Sequence, residues 1–431
     1  MMPVIFFVCA GLIFAQANAE SVRSLSVEDA VELAKKNNVS IARSQITLDA
    51  AQRTKAHSWN SISPTASVSA TSSVPVDSLS DDKSNYTASL GISATVSVSL
   101  SANLYTTMNA AKIAYESGKL SFDDAVKSVE LGVREAFYGL LYEKENITLQ
   151  ERNLEIAKTQ YNNNLAKYNQ GRLSEIDVLS AEVNYKSKIP TVESAITSYQ
   201  NDLASFKQTL GMPIDEKIEL KGSLDDMINL NEVTVDEKNI SSSSIKTLEY
   251  KLEAAKNTVL DKRFSAFAPS LSASFKWSDA SWYVGYDGTA PDPKKSASLS
   301  LSATIPLDGV LPWSSRNDAI DSAKDSVKDL ELQLEDKKKD VLRSVQSSLR
   351  SIKQSQESIK YKQANVTLAQ KTYDMTAEAY NRGTKDLLTL QNANTSLLNA
   401  QVTLKSETLT LIKAILNLEN TIGVEFGTLG K

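Results

Sequence analysis

The chain has 431 residues, 41% hydrophobic and 7% aromatic residues, and a formal net charge of −5. This charge gives no general attraction to nucleic acid, and the small numbers of Gly and Pro favour long helices. One histidine, His57, and one cysteine, Cys9, are too few for multi-histidine or cysteine-based metal sites. Since no pair of carboxylates is singled out either, we expect neither enzymatic activity nor a cofactor.

Residues 1–19, MMPVIFFVCAGLIFAQANA, have the pattern of a secretory signal peptide. They carry no charge, contain a short apolar run and end in an A-x-A sequence. We expect cleavage before Glu20, which would remove Cys9 and leave the mature chain without a thiol. The apolar run is too short to span a bilayer, and no later apolar run reaches about 18 residues, so no membrane-spanning helix is predicted.

The rest of the chain is predicted to contain two copies of one unit. The sequence YNQG at 168–171 recurs as YNRG at 380–383, and PTASVS at 64–69 is matched by PSLSAS at 269–274. We therefore divide the chain into a first repeat, a connector with little regular structure, a second repeat and a C-terminal tail, at residues 20–214, 215–239, 240–424 and 425–431.

Each copy is predicted to run helix, strand, strand, long helix, turn, helix. The first helix begins at a capping sequence, Ser26 to Asp29, and continues without Gly or Pro to about Ile62. The long helix of the second copy, Ser314 to Arg382, also lacks Gly and Pro and would be about 100 Å long. Such long and polar helices must pack side by side with neighbours rather than form a thick core.

The strands alternate strictly between apolar and small hydroxylated residues, as in SLGISATVSVSLSA at 89–102. One interpretation is an ordinary antiparallel sheet, half buried against a core. However, the polar positions are nearly all Ser and Thr rather than Lys and Glu, and no helix with a broad apolar face remains to cover the apolar side. Both observations favour the lipid-facing, water-lined strand of an outer-membrane barrel. Four strands cannot close a barrel, so it must be shared: two chains would give a filled barrel of eight strands, and three a channel of twelve.

The order of elements and three motifs resemble the TolC family of outer-membrane efflux proteins. The motifs are SLSLSATIPLDG before a long helix, YNQGRLSEIDVLSAE and YNRGTKDLLTLQNANTSLLNA. The resemblance implies a mainly α protein with membrane β-strands, forming a homotrimer with a twelve-stranded barrel in the outer membrane and a twelve-helix tunnel in the periplasm. It would be the passive exit duct of a tripartite efflux or type I secretion system, gated at its periplasmic tip. Expected partners are outer-membrane lipid, a periplasmic adaptor protein and an inner-membrane pump.

The resemblance also implies site residues at the tip. A gate network would involve Asp177, Tyr380 and Lys385, where the best-known family member has Arg in place of Lys385; Lys can pair with a carboxylate but not through a bidentate fork. The pore constriction would fall at Thr389 and Asn392, where that member has aspartates, so a cation-selective ring is not expected. The turns that would contact the adaptor comprise Gln170, Gly171, Arg172, Leu173, Arg382, Gly383 and Thr384.

These residues also have simpler interpretations. A Tyr, a Lys and an Asp near a helical turn are usually solvated surface residues, and a glycine there often only ends a helix. Trp59, Phe267 and Trp313 lie where strands meet helices and mark either the inner rim of the barrel or packing sites. The alternative to a channel is a secreted coiled-coil scaffold or adhesin whose strands form a small soluble sheet.

Overall fold

A computed structural model of the protein describes residues 23–73, 87–227, 233, 240–285 and 295–429. The predicted signal peptide, much of the predicted connector and the last two residues of the predicted tail lie outside these ranges. None of the described helices is apolar over a long enough stretch to cross a membrane.

The described chain contains six β-strands and seven α-helices. In chain order these are β1 (Arg23–Leu25), α1 (Val27–Asn37), α2 (Val39–Ala56), β2 (Thr65–Ser73), β3 (Thr87–Ser101), α3 (Asn103–Asn169), α4 (Glu175–Thr209), β4 (Ile218–Leu220), α5 (Ser243–Phe267), β5 (Ser270–Gly285), β6 (Lys295–Thr304), α6 (Ser315–Asn381) and α7 (Leu387–Ile422). Short 3-10 helices cover Ser58–Ile62, Leu224–Met227 and Asp308–Val310. The order helix, two strands, long helix, helix occurs twice, and α3 and α6 have 67 residues each.

The prediction of one continuous first helix is wrong, because the helix is interrupted at Asn38. The capping interaction at its start is confirmed, since the Ser26 hydroxyl accepts a hydrogen bond from the Asp29 N–H at 3.2 Å. Asn38 then adopts an extended conformation, with φ −69° and ψ 127°, and its side-chain oxygen accepts the Ser40 N–H at 2.8 Å. An asparagine that caps a new helix thus divides the segment into α1 and α2.

The predicted connector contains more structure than expected. β4 lies within it and pairs in parallel with β1, with Leu25 opposite Leu220. Both leucines are buried, together with Leu224 on the following 3-10 helix, in a core that also contains Phe137 and Phe206. This core fixes α1, β1 and β4 against the middle of α3, because apolar side chains from all three are removed from water there.

The long helices form two antiparallel hairpins. α3 packs along α4, α6 packs along α7, and α2 and α5 lie beside α3. Within the second hairpin, Val345 and Ile352 of α6 form a buried apolar core together with residues of α7, namely Leu411, Ile415 and Leu418. α4 continues through Pro190 as one helix.

The strands β2, β3, β5 and β6 form one antiparallel sheet in that order. Apolar residues face each other across every pair: Val96 of β3 is opposite both Ala66 and Phe275, and Phe275 is opposite Leu299. The four predicted strands and their alternation are therefore confirmed. β2 and β6 are the edges of the sheet, and within the described residues neither has a strand partner on its outer side.

Candidate functional site

The polar face of the sheet is a continuous surface of small hydroxyl groups. Cross-strand hydroxyls bond to one another, with Ser69 and Ser93 at 2.8 Å, Ser272 and Ser302 at 2.7 Å, and Ser278 and Ser296 at 2.8 Å. Among the described side chains of this face, only Lys276 is charged. Small hydroxyls can line a wide, water-filled passage because they take little room and hydrogen-bond to water.

The opposite face is apolar and uncovered. Leu299 and Leu301 are 79% and 81% exposed, and Val68 is 77% exposed. A bare apolar surface on this scale marks an interaction site, since exposing it to water carries a large free-energy cost. At the loop end of the β5–β6 pair the same face carries an ion pair, with Lys295 and Asp279 at 3.9 Å.

At the far end of the molecule the two hairpin turns have the same construction. α3 is followed by Gly171 at φ +71° and α6 by Gly383 at φ +76°, a left-handed conformation that favours glycine. Ser174 then caps α4 and Asp386 caps α7. The predicted adaptor-contact residues lie in these two turns; Leu173 is half-buried and the other six are exposed.

Tyr380 connects the two hairpins just above the turns. Its hydroxyl donates a hydrogen bond of 2.7 Å to the side-chain oxygen of Asn164 on α3, which is fully buried. The Lys167 ammonium lies 5.2 Å from the centre of the Tyr380 ring, within cation–π range. Burial raises the pKa of Tyr380, the Asn164 hydrogen bond lowers it, and the negative charge of Asp177 raises it. Asp177 and Tyr380 therefore lie near each other, but the tyrosine hydroxyl bonds to Asn164, which is not one of the predicted site residues.

The sequence shows the helical spacing that leads to Asn164, but not the burial of this residue. The buried residues Asn153, Ala157 and Asn164 follow one another on α3 at spacings of four and seven, which places them on one face of a helix. Asn153 makes a second buried contact of the same kind, accepting a hydrogen bond from the Asn394 amide of α7. A row of buried amides at helical spacing indicates polar contacts between the hairpins.

The other two members of the predicted network occupy different surroundings. Asp177 is half-buried in the first turn of α4, where its carboxylate accepts the Ser174 hydroxyl at 2.6 Å. Lys385 is exposed in the second turn, and within the described residues it forms no hydrogen bond or ion pair. One chain thus brings Asp177 and Tyr380 together but leaves the Lys385 ammonium unpaired.

The predicted constriction residues lie at the start of α7. The Thr389 N–H donates to the Asp386 carboxylate at 2.8 Å, and Asn392 is exposed one turn later. Hydrogen bonds from Thr389 lower the pKa of Asp386, with a smaller effect of the neighbouring Lys385 charge. Neither Thr389 nor Asn392 carries a charge.

The two hairpins contact each other through both polar and apolar side chains. Along α3 and α7, the Lys405 ammonium pairs with Glu145 at 2.9 Å and the Asn417 amide donates to Glu135 at 2.7 Å. Ile412 and Leu416 of α7 also belong to the apolar core near the middle of α3. Polar pairs can be exchanged for water at low cost, whereas apolar surfaces cannot. The apolar core therefore fixes the hairpins to each other near the middle of α3, while the contacts of Asn153 and Asn164 closer to the turns are polar.

One carboxyl group between α3 and α4, that of Glu143, is an unusually weak acid. Burial, a hydrogen bond to the Asp202 carboxyl and the charge of that group together raise the pKa of Glu143 to about 7, while the charge of Lys413 opposes the change. One oxygen of Glu143 is fully buried without a hydrogen-bond partner. Among the described residues, no group of three or more His, Cys, Asp or Glu side chains could hold a metal ion.

A sheet with one bare apolar face and one serine face, continued by helical hairpins about 100 Å long, defines a membrane transport protein with a long helical extension. The family described as outer membrane efflux protein matches residues 30–212 and 236–424, and the chain belongs to this family. It is an outer-membrane efflux channel whose helices lie in the periplasm, and the resemblance to the TolC family is confirmed.

Solved structures have the same fold. The CmeC outer membrane channel of Campylobacter jejuni is 19% identical, with a TM-score of 0.71 over 92% of this chain and 85% of that one. CusC is 15% identical, with a TM-score of 0.74 over 93% and 92% of the two chains. VceC of Vibrio cholerae is 16% identical, with a TM-score of 0.70 over 93% and 96%. Comparison with curated protein sequences gives no match.

Proposed function

We propose that three copies of the chain share one twelve-stranded barrel in the outer membrane, continued by a twelve-helix tunnel through the periplasm. The observation that carries this proposal is the pair of free sheet edges, β2 and β6, beside a bare apolar face. In lipid, each unpaired backbone group costs several kcal/mol, so the edges must meet those of other copies. Two copies would give eight strands filled by side chains, whereas three leave room for a channel lined by serine.

The passage is closed at the hairpin tips. The Lys385 ammonium forms no hydrogen bond or ion pair with the described residues of its own chain, and a carboxylate, Asp177, lies near Tyr380 on the other hairpin. In a ring of three chains, Lys385 would pair with Asp177 of the next chain while Tyr380 and Asn164 hold the hairpins of one chain together. Opening would then require these polar contacts near the turns to be broken, while the apolar core that joins the hairpins near the middle of α3 persists.

Below the gate, the ring formed by Thr389 and Asn392 is neutral. Their hydroxyl and amide groups can bind water and either sign of charge, so the constriction gives no strong preference for cations. The channel has no catalytic role, and energy for export comes from a partner pump in the inner membrane.

The exposed turns at the tip are the surface for a periplasmic adaptor protein. They project furthest from the sheet, and their exposed residues include two cations, Arg172 and Arg382. Together with the pump and the adaptor, the channel would form the exit duct of a tripartite efflux or type I secretion system. The alternative of a secreted scaffold or adhesin is not supported, because the chain belongs to a channel family.

Native mass spectrometry of the purified mature protein in detergent tests the shared barrel. Three chains per particle are expected, together with loss of solubility when detergent is removed. A monomer that stays soluble without detergent would contradict the proposal, because both free edges and the apolar face would then be exposed to water. A stable dimer would contradict the twelve-stranded barrel.

A further inference from the structure

The two repeats differ where the sheet passes into the long helix. In the first repeat only Ala102 separates β3 from α3, whereas residues 305–314 separate β6 from α6. We call this segment the β6–α6 linker. Its large apolar side chains are all exposed, with Leu307 at 72% and Trp313 at 78%; the others are Ile305, Val310 and Leu311.

The linker is an ordered structure, held from its inner side. The Asn317 amide donates to the carbonyls of Gly309 at 2.9 Å and Leu311 at 2.6 Å. A Cβ on Gly309 would lie 2.5 Å from the carbonyl oxygen of Ala266, so glycine is needed for this close approach. The polar backbone is thus bonded towards the protein while the apolar side chains are presented outward.

The linker continues the apolar face of the sheet. On β6 the apolar row runs from Ala297 to Ala303, and Ile305 and Leu307 follow at the same spacing of two. Six residue steps span about 20 Å along a strand, or about 15 Å of membrane thickness at a tilt of about 40°, whereas the apolar band of a membrane barrel is about 25 Å tall. The apolar residues of the linker would extend the apolar band on the side of the sheet that faces the helices, and so make up this difference in height.

Apart from Asp308 in the middle of the linker, charged residues lie where the apolar residues end. Trp313 is followed by Arg316 in the first turn of α6, and on the neighbouring element Arg263 precedes the exposed Phe267. The order of aliphatic, aromatic and then cationic residues matches the change from acyl chains to anionic headgroups at a membrane surface.

We propose that the β6–α6 linker is a membrane-interface anchor, inserted in the periplasm-facing leaflet with Trp313 at the level of the headgroups. This inference rests on the proposed barrel, because the anchor has a function only if β6 crosses the membrane. Each chain would contribute one anchor, which lies in the second repeat alone. Together the anchors would fix the depth of the barrel in the bilayer.

Fluorescence quenching by lipid tests the anchor. The mature chain has no cysteine if residues 1–19 are removed, so Val310→Cys can carry a single environment-sensitive fluorophore. Leu299→Cys on the exposed apolar sheet face is the reference for lipid, and Leu368→Cys, on an exposed position of α6, is the reference for water. Each labelled protein is placed in phosphatidylcholine vesicles with brominated acyl chains, and iodide is added separately as an aqueous quencher.

We expect bromolipid to quench the label at 310 within about twofold of that at 299 and several-fold more than that at 368, with the opposite order for iodide. Quenching at 310 by iodide alone would place the linker in water and overturn the inference. Quenching by neither agent would place it against a second copy of the chain, which also overturns it. Both results leave the barrel intact as long as the label at 299 is quenched by lipid; without that quenching, the barrel and the anchor both fail.

Discussion

Replacing Tyr380 by Phe tests whether the bond between the hairpins holds the closed state. The substitution keeps the aromatic ring, and with it the contact to Lys167, but removes the hydroxyl that donates to Asn164 at 2.7 Å. The Asn164 amide nitrogen already has no hydrogen-bond partner, and the side chain is fully buried. Loss of the tyrosine hydroxyl would leave both the oxygen and the nitrogen of the Asn164 side chain without a hydrogen bond, in a site closed to water.

An orphaned buried polar group of this kind costs about 1–3 kcal/mol. If the bond exists only in the closed channel, the ratio of open to closed molecules rises about 5- to 150-fold for each chain that contributes. Single-channel recording in planar bilayers measures this ratio directly. Tyr373→Phe is the matched control, because this tyrosine is also half-buried on α6 but its hydroxyl has no hydrogen bond among the described residues.

A second substitution, at Asn164, tests the same hydrogen bond in the opposite direction. Adding Asn164→Leu to Tyr380→Phe replaces both polar partners by apolar groups, which is close to neutral, so the double variant should be closed more often than Tyr380→Phe alone. If the two substitutions open the channel additively, the hydrogen bond is not the relevant interaction. If Tyr380→Phe lowers the melting temperature without changing the open probability, the bond persists in the open state and has no gating role.

Three further predictions concern other polar groups. Lys385→Ala should raise single-channel open probability while Lys385→Arg should not, because either cation can pair with a carboxylate; equal effects would remove the ammonium from the gate. The pKa of Glu143 is raised to about 7, so the folded protein keeps a proton that the unfolded chain loses above about pH 4.5, and stability should fall as pH rises towards 7. Glu143→Gln should flatten this decline, which amounts to about 1–2 kcal/mol once solvent screening is allowed for, in melting curves between pH 4.5 and 8; an unchanged slope would contradict it. Glu419→Gln should make the C-terminal segment at least tenfold more sensitive to protease, because the buried carboxylate accepts the N–H groups of Gly427, Thr428 and Leu429.

Two substitutions serve as controls for the last two predictions. Glu151→Gln changes an exposed carboxylate on the same helix as Glu143 and should leave the pH profile unchanged. Glu425 lies beside the C-terminal segment, and among the described residues only its backbone carbonyl accepts a hydrogen bond, so Glu425→Gln should not alter proteolysis. A change in either control would mean that the effect of the corresponding variant is not specific to the buried carboxylate.

The strands and long helices could be predicted because their signals are local. Strict alternation at 89–102 depends only on the geometry of a strand with one apolar face, and the absence of Gly and Pro from 315 to 381 is enough to allow a long helix. The break at Asn38 was missed since no Gly or Pro marks it; a side-chain cap made the new helix start.

Contacts between distant segments could not be predicted from one sequence. β1 and β4 are three residues long, too short for a periodic pattern, and they exist because Leu25 and Leu220 are buried in a common core. Tyr380 and Asn164 are 216 positions apart, so only the packing of one hairpin against the other makes them partners. The family resemblance makes Tyr380 a candidate gate residue but does not identify Asn164, the residue to which its hydroxyl is bonded.

Conductance of the purified protein in a planar bilayer tests the central claim most directly. A channel closed at its tip should give small, discrete current steps, and the double variant Asp177→Ala, Lys385→Ala should give larger or more frequent ones because the ties between chains are removed. If a detergent-stable, folded preparation of the double variant produced no current steps, the chain would not form a transmembrane passage.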